Sequence, residues 1–356
     1  MSKKQVLGII YGGKSSEHEV SLRTAFSILE AVNYEKWMVI PVYITLSGTW
    51  IEGERLTSSP QKVDQLRLQP ADSSGNIFEL AKEVHIFFPV VHGPYGEDGT
   101  LQGMLEMLDV PYVGSGVLGS ALGMDKVKMK EIFAMHGFPQ GDFLGLKRQQ
   151  IREQLSVVCE QVESRLSYPC FVKPANLGSS VGISKAKDRR QLEEALILAA
   201  QYDQKVIVEQ FIDGREIEIG VLGNDNPQTS VVGEIVTAGE FYDYAAKYKD
   251  TGTKLEIPAR IPDDVARRIA ELAKKAFLAL ECSGLSRVDF FWNEQADQLY
   301  VNEINTMPGF TPFSMYPLLF KEAGITYPTL IEELIRCGLQ RFEEKKQNQV
   351  HAESLD

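Results

Sequence analysis

Residues 287–305 read Arg287-Val288-Asp289-Phe290-Phe291-Trp292, a polar interval from Asn293 to Asp297, and then Leu299-Tyr300-Val301-Asn302-Glu303-Ile304-Asn305. Both flanks are apolar and β-prone, and the interval between them has the composition of a turn, which predicts an antiparallel hairpin. A turn centred near Ala296 sets Asp289 opposite Glu303 and Arg287 opposite Asn305. Side chains alternate along a strand, so all four project from one face. Two carboxylates and an amide oxygen on one face make a hard-oxygen site suited to Mg2+ or Mn2+ bridging nucleotide phosphates. The plainer alternative is a solvated hairpin face carrying an Arg–Asp ion pair. The turn that follows, Thr306-Met307-Pro308-Gly309, favours the first reading, because its backbone can approach a substrate closely.

Upstream, Phe171-Val172-Lys173 ends an apolar strand and opens a small-residue loop running to Gly182. The N–H and hydroxyl groups of such a loop, Ser180 among them, can close over phosphates. Gly/Ser loops are also ordinary linkers, so this piece counts only beside the hairpin. Lys126 opens a helix after Gly123 and is either a phosphate contact or a solvated helix-start charge. Glu209, at the end of an apolar strand, could accept from an adenine amino group, and Glu216 could hold ribose hydroxyls. Taken alone, each glutamate reads more readily as a surface charge.

Two motif matches fail on mechanism. Gly8 to Ser15 fits the letters of a P-loop, but a P-loop must leave its strand straight after the first glycine to wrap phosphates. Here Ile9, Ile10 and Tyr11 belong inside a strand, so the segment reads as a strand ending in a Gly-Gly turn. Gly114-Ser115-Gly116-Val117-Leu118-Gly119 fits the dinucleotide fingerprint, yet it comes late in its domain. No acidic residue follows about 20 positions on, at a strand end, to hold a ribose. It reads as a tight turn.

Strands over 6–11, 38–44 and 85–91, with a helix over 21–33, predict a parallel α/β domain across residues 1–125. Between residues 53 and 76 the chain reads as loop. Helices over 124–135, 149–165, 189–202 and 262–280 and strands over 170–173 and 205–210 place two further units at 126–212 and 213–341. A polar tail at 342–356 closes the chain. With 356 residues and 44% hydrophobic composition, several cores can be built. A net charge of -12 argues against a nucleic-acid partner. The four cysteines are scattered without a CxxC pair, so neither a zinc site nor a disulfide framework is indicated. No segment approaches the roughly 20 apolar residues of a membrane span, and no leader precedes Gly12, so a cytoplasmic location is expected.

In order, these pieces resemble the D-alanine–D-alanine ligases of the ATP-grasp superfamily, from about Lys4 to Leu339. The matching motifs are Tyr11 to Ser21, His92 to Gly99, Met124-Asp125-Lys126, the Lys173 to Gly182 loop, Phe241 to Tyr248, and Asn302 to Gly309. The resemblance implies a two-lobed ATP-grasp fold with antiparallel sheets behind the N-terminal domain. It implies that Lys126, Lys173, Ser180 and Lys247 hold ATP phosphates, with Glu209, Phe211 and Glu216 around the base and ribose. Phe211 commonly has tryptophan in its place in relatives. Asp289, Glu303 and Asn305 would bind two Mg2+ or Mn2+ ions. Glu17 would take the ammonium of the first D-alanine, with His92 beside that subsite, while Ser314 and Met315 line the second. Arg287 and the Gly309 N–H would cradle the oxyanion. Glu17, Ser179 and Tyr248 would form a hydrogen-bonded triad, and a loop over 239–254 would close the site. The implied activity is ATP-dependent joining of two D-alanines through an acyl phosphate for peptidoglycan, by a homodimer. A depsipeptide variant using D-lactate, which Tyr248 disfavours, and a non-catalytic ATP binder are the competing readings.

Overall fold

The computed structural model describes residues 4–69, 76–178, 181–236 and 253–349. Its first sheet contains β1 (Gln5–Gly12), β2 (Trp37–Ile44), β3 (Trp50–Glu52) and β4 (Ile86–Pro89), in the order β3-β2-β1-β4. β1 runs parallel to β2 and β4, and β3 lies antiparallel on the edge. β1 is buried from Val6 onward, as a central strand covered on both faces must be. Helix α1 (His18–Ala31) lays Leu22, Ala25, Ile28 and Leu29 into the same core. Strand β3 had no expectation attached, because three residues are too few to show an alternation.

Gly12 and Gly13 end β1 with φ of 94° and 100°, and a Cβ on Gly12 would stand 2.1 Å from the Ile44 carbonyl oxygen. The residues between Gly8 and Gly12 stay in the strand, so the P-loop likeness is one of letters only. The unit continues with α2 (Ile77–Leu80), α3 (Thr100–Met107) and α4 (Val117–Met124), and α5 (Lys126–Met135) follows. The expected tight turn at 114–119 in fact runs into α4. The helix expected from residue 124 starts only at Lys126, because Asp125 interrupts it. Its backbone is extended and its side chain accepts from the Lys128 N–H, capping α5. Gly119 sits where a Cβ would be 2.6 Å from the Glu281 carbonyl oxygen, so its role is close packing.

The second sheet is antiparallel, in the order β5-β8-β6-β7. It comprises β5 (Phe143–Lys147), β6 (Cys170–Pro174), β7 (Ser184–Ala186) and β8 (Lys205–Gln210), with α6 (Arg148–Glu153), α7 (Leu155–Arg165) and α8 (Arg189–Tyr202). The single helix expected over 149–165 is divided by Gln154, whose φ of -141° is not helical. The third sheet runs β11-β10-β9-β12-β13, also antiparallel. Its strands are β9 (Arg215–Gly223), β10 (Gln228–Val236), β11 (Lys254–Glu256), β12 (Gly284–Asn293) and β13 (Gln298–Asn305), backed by α9 (Asp263–Ala279). The expected α/β unit followed by two antiparallel lobes is therefore present.

Packing crosses the expected segment boundaries. Met129 and Phe133 of α5 share a core with Ile269 and Phe277 of α9 and with Val288 and Val301 of the hairpin. After α10 (Met315–Glu322), helix α11 (Tyr327–Lys345) returns to the first sheet, where Leu330 and Leu334 meet the core of Leu7, Leu22 and Phe88. Lys36 Nζ and Trp37 Nε1 donate to Glu332 of α11 at 2.6 and 2.8 Å. α11 carries on to Lys345, past residue 341 where a tail was expected to begin. All four cysteines are buried and free. Among the described residues no helix is long and apolar enough to cross a membrane.

Candidate active site

β12 and β13 pair Asp289 with Glu303 and Arg287 with Asn305, the expected pairs, but the turn is centred half a residue before Ala296, with Asn293 opposite Gln298, so a regular hairpin would have set Asp289 opposite Asn302. The route to that register is less regular than expected. Leu299 and Val301 face the core, and strict alternation would carry Glu303 inward with them. A bulge between Val301 and Glu303 leaves Asn302 without a cross-strand partner and switches the parity. Ile304 then fills the core, while Glu303 and Asn305 share the face of Asp289. Arg287 donates from Nε and Nη2 to Asp289, each at 2.7 Å, and Asn305 Nδ2 donates to the same carboxylate at 3.0 Å. Glu218 of β9 stands directly across from Asp289 and lies 3.0 Å from Arg287. The Arg–Asp pair of the plainer reading exists, but its face is not solvated, since the two side chains are only 17% and 12% exposed. Burial disfavours the charged guanidinium, and Asp289 and Glu218 outweigh it, so Arg287 stays protonated.

Facing the hairpin across a cavity of about 450 Å³ are residues of the second sheet and α5. Glu209 of β8 sits between two ammonium groups, Lys173 at 2.6 Å and Lys130 at 3.0 Å. Burial would raise the Glu209 carboxyl, but Lys173 and Lys130 reverse this and hold it at about 2. Burial would likewise lower Lys173, yet Glu209, with Glu303 and Glu216, lifts it above its ordinary value. Lys126, the first residue of α5, donates to the Leu177 carbonyl at 3.0 Å and lies 3.8 Å from Glu303. It thus links the small-residue loop to the hairpin. Phe211 and Glu216 line the same cavity, with the Phe171 ring 6.2 Å from Phe211 and the Lys185 ammonium 4.3 Å from its centroid.

The N-terminal unit reaches this region through Glu17. A Cβ placed on Gly93 or on Gly178 would stand 2.9 Å from Glu17 Oε2, so two loops from different units close on that carboxylate, and a side chain at either position would push it aside. His92 is buried, with Nε2 3.1 Å from Thr24 Oγ1 and Nδ1 3.4 Å from Glu97 Oε1. Burial opposes a charged imidazole, but Glu97 and Glu17 raise His92 overall. Burial raises Glu97 too, and the nearby Glu17 adds to it.

Not every expected residue reaches the cavity wall. Ser314 accepts from the Thr311 N–H at 3.1 Å, and Met315 packs with Ile235 and Leu319 in a small core of its own. Gly309 lies on the turn after β13, Ser314 precedes and Met315 begins α10, and none of the three lines the cavity; nor do Glu17 and His92, whose unit contributes Glu97 to the wall. Ser179, Ser180, Lys247 and Tyr248 lie outside the described residues, as does nearly all of the expected closing loop. Three participants were missed. Glu97 was read only as part of a motif. Glu218 follows from the alternation Glu216-Ile217-Glu218-Ile219 on β9. Lys130 lies one helical turn beyond Lys126, beside buried Met129 and Phe133, an unusual setting for a lysine.

Sequence models of the D-ala D-ala ligase N-terminus and C-terminus match residues 6–115 and 132–336. A D-alanine–D-alanine ligase of Bacillus pumilus is 50% identical over 351 residues, covering 96% of this chain and 97% of that protein. One from Geobacillus kaustophilus is 50% identical over 358 residues, with 96% and 97% covered. Among solved structures, the D-alanine–D-alanine ligase from Coxiella burnetii has a TM-score of 0.81 at 30% identity, covering 97% of both chains. The VanG D-Ala:D-Ser ligase from Enterococcus faecalis has a TM-score of 0.83 at 35% identity, over 94% of this chain and 99% of that one. The likeness runs almost the full length in sequence and in fold, and on that ground the chain belongs to the D-alanine–D-alanine ligase family.

Proposed function

We propose that this protein joins two molecules of D-alanine into D-alanyl-D-alanine at the expense of ATP, for peptidoglycan precursor synthesis. One observation carries the reading: the Asp289/Glu303 hairpin faces Lys126 and Lys173 across a single cavity, and Glu17 of the N-terminal unit is brought against Gly178 of the loop that follows Lys173. A carboxylate is a poor electrophile, and this geometry suits its activation. A carboxylate oxygen of the first D-alanine attacks the γ-phosphorus of ATP, the bond to the bridging oxygen breaks, and ADP leaves. The neutral amine of the second D-alanine then attacks the acyl carbon of the D-alanyl phosphate. Phosphate departs, and the amine loses a proton to give the peptide N–H.

Each residue has a task in this scheme. Glu17 holds the first ammonium, with His92 behind it. Lys126, Lys173, Ser180 and Lys247 hold phosphates, Glu209, Phe211 and Glu216 surround base and ribose, and Ser314 with the start of α10 at Met315 bounds the second subsite. Arg287 and the Gly309 N–H stabilise the oxyanion, a contribution of about 3 kcal/mol per donor in comparable acyl transfers. Ser179 and Tyr248 link Glu17 to the closing loop.

The donor set also fits divalent metal. Among the described residues, eight carboxylates line the cavity against five lysines and arginines, an excess of three acids where a nucleotide polyanion must bind. No three His, Cys, Asp or Glu side chains there form a ready-made cage. Asp289, Glu303 and Asn305 are thus a partial set of hard-oxygen ligands, which two Mg2+ or Mn2+ ions would complete with phosphate oxygens and water. When bound, such ions offset the phosphate charge. We further place the enzyme in the cytoplasm as a homodimer. The likeness to a D-Ala:D-Ser ligase supports a second reading with D-serine as acceptor, but the relatives at 50% identity favour D-alanine. The test is phosphate release and product chromatography with D-alanine alone, with added D-serine or D-lactate, and with no amino acid. Dipeptide of D-alanine as the main product is expected. A mixed product dominating would overturn the acceptor, and no amino-acid-dependent phosphate release would overturn the reaction.

A further inference from the structure

The charge cluster around Glu209 contains a lysine with no role in the scheme above. Lys130 is 4% exposed, and its Nζ lies 3.0 Å from Glu209 Oε1. The other oxygen of that carboxylate is 2.6 Å from Lys173. A buried cation and a largely buried one therefore share one buried anion. A lysine buried to this degree is costly unless it is paired, and Glu209 could be satisfied by Lys173 alone. The second ammonium thus does something beyond neutralising Glu209.

We propose that Lys130 is a positioning residue for nucleotide binding: by taking up one oxygen of Glu209, it leaves Lys173 with net positive charge for a phosphate group. Charge counting gives the reason. Glu209 with Lys173 alone sums to zero, and Glu303 and Glu216 draw on Lys173 as well from the facing sheet. Without Lys130, that side of the cavity would present no net positive charge to the nucleotide from this cluster. With it, the trio carries one positive charge, held where water screens it little. α5 suits the task, because Lys126 and Lys130 are one helical turn apart on the same face, one at the loop and one at Glu209. This rests on reading the cavity as the ATP site, and it adds a residue to that reading.

The experiment measures affinity for a non-hydrolysable ATP analogue by calorimetry and for adenosine by competition, with dipeptide synthesis by the wild-type chain in parallel. Lys130→Met should weaken the analogue about tenfold or more while leaving adenosine within about threefold, because adenosine has no phosphate. Lys130→Arg should recover most of the loss. In a Glu209→Gln background, Lys130→Met should cost little, since the carboxylate in direct contact with both lysines is gone and Lys130 no longer has an anion to draw away from Lys173. Equal weakening of analogue and adenosine, or the same cost with and without Glu209, would overturn the proposal and leave Lys130 as a structural lysine. Failure of the wild type to bind the analogue would instead overturn the nucleotide reading itself. The two Lys130 variants leave Glu209 paired with Lys173, and thermal melting checks that these and the Glu209→Gln proteins fold.

Discussion

The two walls of the cavity handle buried charge in opposite ways. On the wall formed by the second sheet and α5, two lysines flank one glutamate. On the hairpin wall, one arginine lies against two acids, Asp289 and Glu218, with Glu303 beside them. Each cluster is left with charge of one sign, and the two signs face each other across about 450 Å³. A buried cluster that balanced itself would be an inert structural feature. Under the proposed function, a metal nucleotide would complete both, bringing anions to one wall and cations to the other.

The sharpest way to break the comparison is at the acidic wall. Glu303→Gln keeps the shape and the strand pairing but removes one of the charges that would hold metal. Turnover should fall about 100-fold or more, because metal-borne charge stabilisation amounts to several kcal/mol. The melting temperature should stay close to that of the wild type. Near-normal turnover in a folded Glu303→Gln protein would mean that the hairpin is a structural ion-pair face after all.

The basic wall should respond more moderately. Lys173→Ala removes a charge-assisted contact to phosphate, a loss of about 1.5–3 kcal/mol or roughly 10- to 100-fold in affinity for an ATP analogue. Lys130 still pairs Glu209 in that variant, so the protein should fold. Unchanged affinity in Lys173→Ala would remove the basic wall from nucleotide binding.

How far these walls were legible in the sequence follows from how each is built. The hairpin pairs residues 14 and 18 apart in sequence, near enough for a turn between them to bring Asp289 to within one residue of Glu303, although the turn alone would have set it opposite Asn302. The correct faces depend on the bulge at Asn302. Its only sequence trace is the parity change from buried Val301 to buried Ile304. The basic wall joins α5 to β8, 79 residues apart, and no local pattern announces a Lys130–Glu209 contact. Helix breaks at Asp125 and Gln154 escaped for a related reason: capping and a single non-helical φ override a continuous helical pattern. The sheets themselves were readable, because apolar runs and their separations are local. The return of α11 to the first sheet was not, being a choice among surfaces that only the assembled fold offers.

A smaller effect tests whether the basic wall matters to folding as well as to binding. Lys173 and Lys130 hold Glu209 at about 2, against an ordinary value of 4.5. A carboxyl depressed in the folded state contributes stability above its unfolded value and loses it as the pH falls through the folded one. The affected window is therefore between about pH 4.5 and pH 2, and the contribution is on the order of 3 kcal/mol. Glu209→Gln should flatten the fall of stability in that window, measured by denaturant melts at stepped pH. A slope equal to the wild type would show that Glu209 titrates alike in both states.

The smallest expected effect concerns a lysine that belongs to neither wall. Lys14 completes the letters of a P-loop, and in a real one its ammonium would be a principal phosphate contact. Here β1 runs on through buried Ile9, Ile10 and Tyr11 to the turn at Gly12, so the backbone has no free N–H groups to wrap a phosphate. A Cβ on Gly8 would stand 2.5 Å from the Phe87 ring, so that glycine answers to strand packing and not to a nucleotide. Lys14 itself is exposed, with its ammonium 6.0 Å from the Tyr95 ring and its stem over Gly48, and it is not in the cavity lining. Removing an exposed charge of this kind changes free energies by about 0.5 kcal/mol at most, roughly twofold. Lys14→Ala should therefore leave ATP-analogue affinity within about threefold of the wild type, where Lys173→Ala loses far more. If calorimetry gave the reverse order, the anion-binding wall would lie at the end of β1, and the opposed clusters in the cavity would need another occupant.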